Sequence, residues 1–190
     1  MTGIGHNNGP TLESGHGYRT YMWRRAQQKL MPNTIPLLIV RMRMRRAEEL
    51  GMDYKTYASI RRTSGQDILG LLFSSNALRI IGNGARMPDA ETRALEAVKS
   101  ARKLSLVHAP NEPPAVLQAN PVLDATALAP LFTDSWSRMR RQVGGFIREN
   151  RLPGNQVLII GDTPLEPEWT TAARAAGYLP ADRYFQHQAD

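Results

Sequence analysis

Three apolar runs in the chain each end in residues able to do polar chemistry. Asp67-Ile68-Leu69-Gly70-Leu71-Leu72-Phe73 runs into Ser74-Ser75-Asn76, Leu104-Ser105-Leu106-Val107 into His108, and Gln156-Val157-Leu158-Ile159-Ile160-Gly161 into Asp162-Thr163, with Glu166 shortly after. Hydroxyl and amide groups can hold phosphate oxygens, and carboxylates with hydroxyls suit a hard cation such as Mg²⁺. Ser75, Asn76, His108, Asp162 and Glu166 therefore form the candidate ligand or metal cluster, with Asp124 and Thr126 as a further pair at the end of a weaker extended piece. A serine–histidine–acid trio can be written from Ser75, His108 and Asp162, but no GxSxG elbow supports it, and His108 satisfied by a backbone carbonyl is the simpler expectation. No catalytic residue is assigned.

The elements that must position these residues follow from hydrophobic pattern. Short runs that are apolar throughout are buried strands. Between the first two, Pro88-Asp89-Ala90 opens a helix with Leu95, Val98 and Ala101 at helical spacing up to Lys103. Strand, crossover helix, strand is a parallel βαβ unit, and in open parallel sheets ligands bind beyond the carboxyl ends of the strands. Residues 110–121 are Pro-rich and predict a loop with an extended piece at Ala115–Leu117, followed by a short strand near Val122–Leu123. A helix is expected from about residues 133–135 to Asn150, and a last one from Pro167 to Gly177, with the aromatics of the tail from Tyr178 folding back. The predicted class is α/β: a small three-layer, mostly parallel sheet preceded by a basic helical region. Its expected divisions are a flexible leader over 1–17, the helical region over 18–65 and a Rossmann-like domain over 66–190.

Charge supplies a second lead. The 190 residues carry 24 Lys and Arg against 17 Asp and Glu, a formal charge of +7, and the surplus sits between Arg19 and Arg62. A polyanion is the expected partner: nucleic acid, the acidic surface of another protein, or anionic lipid. Within this stretch Pro36 suits a helix start, Gly51 a stop, and Asp53 the cap of a second helix running to about Thr63 before Gly65. On the first helix Leu37, Val40, Met44 and Ala47 make an apolar stripe, and Arg41, Arg43, Arg45 and Arg46 fall on its flanks as candidate nucleic-acid contacts. Before it, Tyr18 to Leu30 predicts a short helix. The leader is Gly-rich, and its His6 and His16 stand in no ligand cluster. The chain has no cysteine, which excludes disulfides and thiolate chemistry, and no long apolar run, so a cytoplasmic location is expected.

Three segments resemble known proteins. The leader motif GIGHNNGP resembles that of short bacterial proteins of unassigned function and implies no activity. Ala47-Glu48-Glu49-Leu50-Gly51-Met52-Asp53, followed by Lys55, Thr56 and Ser59, resembles the helix-turn-helix of DNA-binding regulators. That resemblance implies that Lys55, Thr56 and Ser59 face base edges and that Arg41, Arg45, Arg61 and Arg62 neutralise phosphates. The segment VLIIGDTPLEPEWTTAARAAGYLP resembles the last motif of haloacid-dehalogenase-like phosphohydrolases, and Ser74-Ser75-Asn76 their phosphate-binding motif. This implies Mg²⁺ at Asp162 and Glu166. The family's nucleophile, in an apolar strand ending Asp-x-Asp, has no counterpart; Val122-Leu123-Asp124-Ala125-Thr126 holds one aspartate. The sequence thus predicts a nucleic-acid-binding, DNA-associated regulatory or accessory protein that is not an enzyme and needs no cofactor. A Mg²⁺-dependent phosphohydrolase or degenerate relative, and a module for an acidic protein partner, are the alternatives.

Overall fold

The structure, a computed structural model of the chain, describes residues 20–26, 35–82 and 84–186. It falls into two compact units, Met1–Val40 and Arg41–Asp190. The expected leader with His6 and His16 lies outside the described residues. Of the helix expected over 18–30, residues 20–26 are described and are helical.

Helix α1 (Leu37–Glu49) ends at Gly51, whose φ of 69° is a conformation that glycine adopts without strain. Asp53 then caps α2 (Tyr54–Ser64), its carboxylate accepting the Thr56 N–H at 2.9 Å, and Gly65 closes that helix in the left-handed conformation. The remaining elements are β1 (Gly70–Ser74), α3 (Asp89–Ala97), β2 (Arg102–Val107), α4 (Pro113–Ala119), β3 (Ala125–Leu128), α5 (Trp136–Glu149), a 3₁₀ turn (Gly154–Gln156), β4 (Val157–Gly161), α6 (Glu168–Ala173), β5 (Gly177–Pro180) and α7 (Ala181–Gln186).

The strands form one five-stranded, all-parallel sheet in the order β3-β2-β1-β4-β5. β1, at the centre, pairs Leu72 with Leu104 on one side and with Ile159 on the other. Strand alternation divides the core into two faces. Leu71, Phe73, Val107, Leu158 and Ile160 pack with Leu50, Tyr57, Leu95, Val116 and Tyr184. Leu72, Leu104, Leu106, Val157 and Ile159 pack with Met139, Val143, Phe146, Ile147, Trp169 and Ala172. The sheet thus lies between two helical layers, as the sequence pattern predicts.

Several expectations are corrected. In α1 only part of the expected stripe packs: Leu37 and Met44 are exposed, whereas Ala47 of the same stripe is buried, together with Leu50 and Met52 beyond it. The inward side carries Arg46, which is accommodated because its guanidinium finds acceptors on neighbouring loops. Residues 113–119 form a helix rather than an extended piece, since prolines at its first positions withhold N–H groups that a first turn leaves unpaired. The third strand starts at Ala125, not Val122, and α3 stops at Ala97, short of Lys103. The tail supplies β5 and α7, anchored by the buried Tyr184 hydroxyl donating to the Leu50 carbonyl at 3.0 Å.

Candidate functional site

The strand order reverses between β1 and β4, which follow different connections to opposite sides of the sheet. Crevices form beyond the carboxyl ends of strands at such a reversal. The residues that continue β1, β2 and β4 are Ser75-Asn76, His108 and Asp162, so the candidate cluster stands on three adjacent strand ends.

Glu166 is the hub of the cluster. It is 1% exposed. Its Oε2 accepts the backbone N–H groups of Asp162 (2.6 Å) and Thr163 (3.1 Å), and its Oε1 accepts the Asn76 side-chain amide at 3.1 Å. Three donors satisfy a carboxylate that burial would otherwise make costly. Gly161 makes this approach feasible: a Cβ there would run into the Glu166 carboxylate and would lie 2.8 Å from the Tyr178 ring and 2.9 Å from its hydroxyl.

Asn76 and Ser75 connect this carboxylate to His108. Ser75 Oγ accepts the His108 backbone N–H at 3.0 Å, which leaves its own O–H to donate to His108 Nδ1 at 3.2 Å. The ring proton of neutral His108 is then assigned to Nε2, 3.8 Å from Glu166 Oε1. Trp169 stacks on the imidazole with centroids 5.6 Å apart. Burial lowers the His108 pKa, and the Glu166 charge opposes that shift. Burial likewise raises Tyr178 to about 12, with the charges of Glu166, Asp162 and Asp182 adding to it.

Asp162 points elsewhere. Its Oδ2 takes a 2.9 Å ion pair from Arg79 NH1, across the gap between the loops after β1 and β4. Arg79 has φ 56°, a left-handed conformation that costs a non-glycine residue energy and marks a position held by its surroundings. Arg79, Trp169 and Tyr178 were not singled out by sequence. An isolated arginine in a turn, with its partner 83 residues away, gives no local signal.

One sequence expectation fails on geometry. Asp124 precedes β3 and accepts the Lys103 N–H at 2.6 Å, and Thr126 lies within β3 and donates to the Pro113 carbonyl. Neither stands beyond a carboxyl end. The trio Ser75–His108–Asp162 does not form, because Glu166 is the acid beside His108, and Ser75 is 1% exposed, out of reach of a substrate carbonyl.

The donor set also fits Mg²⁺ poorly. Both oxygens of Glu166 are taken by N–H donors, and a guanidinium already neutralises Asp162. Ser74, at the end of β1, is buried and accepts the Ala77 N–H, so that strand presents no carboxylate nucleophile.

The basic helices divide into two groups. Arg46 is internal: it contacts Asp67 (3.1 Å), Glu49 (3.2 Å) and the carbonyls of Ile68 (2.7 Å), Ser100 (3.1 Å) and Lys99 (3.5 Å). Arg61 leans on Tyr57 and Asp67, and Arg45 on Glu49. Arg43 is half-buried, and the backbone of Thr56 is part of the α2 cap. Arg41, Lys55, Ser59 and Arg62 are exposed. Among the described residues no helix is long and apolar enough to cross a membrane.

No protein family matches the chain, and no curated protein does. Among solved structures, the chain is similar to the crystal structure of an uncharacterized protein from Corynebacterium glutamicum ATCC 13032, with a TM-score of 0.39 and 18% identity. The similarity covers 60% of this chain and 82% of that one.

Proposed function

We propose that the chain binds a phosphate monoester in the crevice between β1 and β4, without a metal and without hydrolysing it. The observation that carries this reading is the Arg79–Asp162 pair at 2.9 Å. It sets a guanidinium between the loops that follow β1 and β4, at the sheet's reversal point. A guanidinium recognises phosphate oxygens through paired N–H donors, and Asp162 engages Arg79 through NH1, so the other N–H groups of the guanidinium are the ones offered to a phosphate. Binding without turnover follows from the end of β1, where the side chains are hydroxyls and an amide and the covalent step has no activated carrier.

The test is a thermal-shift screen of phosphate monoesters against the full chain with EDTA present, with phosphate release measured on the same samples. Stabilisation with no release is expected. Release that needs Mg²⁺ and is lost in Asp162→Asn would overturn the non-hydrolytic part and restore the phosphohydrolase alternative.

A second reading, contact with nucleic acid, is favoured by a different observation. Lys55, Ser59 and Arg62 recur at i, i+4 and i+7 along α2 and all are exposed, so they form one outward stripe, with exposed Arg41 on α1. Duplex DNA binding that weakens steeply with salt and in Lys55→Ala/Arg62→Ala supports it, and no binding at about 50 mM salt sinks it.

A further inference from the structure

The apolar side chains around the crevice bear on which monoester it takes. Among the described residues from Gly70 onward, the exposed large hydrophobics are Ile81, Leu128, Leu131, Phe132, Trp136 and Leu165. Ile81 follows β1, Leu165 follows β4, and the others end β3 or lie between it and the first residue of α5. All six therefore belong to the carboxyl edge of the sheet, where the polar cluster also stands, whereas exposed Leu69 precedes β1 at the opposite edge. Exposed apolar side chains gathered at one edge indicate something that covers them.

Ile81 and Leu165 are the two that stand nearest in sequence to the Arg79–Asp162 pair. Ile81 stands two residues beyond Arg79 and is 70% exposed; Leu165 stands three residues beyond Asp162 and is 54% exposed. The Arg79–Asp162 ion pair ties together the two loops that carry these exposed side chains.

Resting on the phosphate-binding reading, we infer that the ligand is a phosphate monoester of an apolar alcohol or phenol, its phosphate on Arg79 and its alkyl or aryl body against Ile81 and Leu165. The polyhydroxyl body of a sugar phosphate would leave both side chains facing polar groups and would lose its own hydration without new partners. An alkyl or aryl body loses only water-exposed apolar surface.

Calorimetric titration of the full chain with inorganic phosphate, ribose 5-phosphate, phenyl phosphate and hexyl phosphate separates the outcomes. The phenyl and hexyl esters are expected to bind roughly tenfold tighter than the other two, a gain set by the apolar area they bury. Ile81→Ser and Leu165→Ser, both at exposed positions, should abolish that preference while leaving the binding of phosphate itself unchanged. Equal affinity for all four overturns the inference but leaves the phosphate site standing. A preference that survives in both variants also overturns it. If no ester binds, the phosphate reading itself has failed. Sedimentation of the same samples covers the remaining occupant: a dimer that dissociates in Ile81→Ser or Leu165→Ser, with no preference among the esters, assigns the apolar rim to a second copy of the chain.

Discussion

Glu166 illustrates how a buried charge is retained in this protein. Its two oxygens accept three N–H donors, two of them from the turn that follows β4, so it fixes the backbone from which Asp162 projects. Glu166→Ala would leave those donors unpaired in a water-poor site. The expected cost is about 2–4 kcal/mol, read as a fall in the urea midpoint with unchanged slope. His108 gives the site an acid limit. Its pKa is lowered in the folded chain, chiefly by burial, so the unfolded chain binds more protons below the ordinary value of 6.5. Stability should therefore be fully present above pH 6.5 and decline as pH falls from there toward the lowered value. His108→Asn should flatten this decline, and a melting temperature with the same acid-side slope in the variant contradicts the assignment. At this scale the sequence shows which polar residues end the strands. It hides how they pair: Asp162 turns to Arg79 rather than to His108, because the ring lies closer to Glu166.

Among the elements, the join between α1 and the sheet depends on Arg46, whose side chain is 14% exposed and spans Glu49, Asp67 and carbonyls on two loops. Arg46→Ala is expected to destabilise the chain by about 2–4 kcal/mol, because it strips partners from a part-buried carboxylate and from loop carbonyls. Arg62→Ala, on the outward stripe of α2, should stay within about 0.5 kcal/mol. Matched denaturation curves decide between this division and a uniformly solvated basic surface, for which both variants would be near neutral. A helical wheel anticipates only the Glu49 contact of Arg46, at i+3: its other acceptors come from residues 21 to 54 positions away. The strands were legible because parallel, doubly covered strands are unbroken apolar runs, as in β1 and β4, where every residue is buried. α4 was concealed by its prolines, which signal a loop unless they fall at a helix start. β5 was concealed by its brevity, Gly177–Pro180, with a proline that an edge strand tolerates.

For the molecule as a whole, the α/β class and the parallel sheet follow from the order of the apolar runs, while the position of the crevice follows from the strand order, which local pattern does not reveal. The two proposed functions rest on two surfaces: the strand ends of β1 and β4, and the stripe of Lys55, Ser59 and Arg62 on α2. α2 packs through Tyr57 into the core face that also holds Phe73 and Ile160, so the stripe is carried on the sheet's own helical layer. The central claim concerns the crevice, and calorimetric titration of phenyl phosphate into the full chain and into Arg79→Ala, with EDTA present, tests it most directly. One site per chain, weakened at least tenfold in the variant while its thermal stability holds, is the predicted result. Equal affinity in both proteins, or no heat of binding at millimolar ligand, would contradict it.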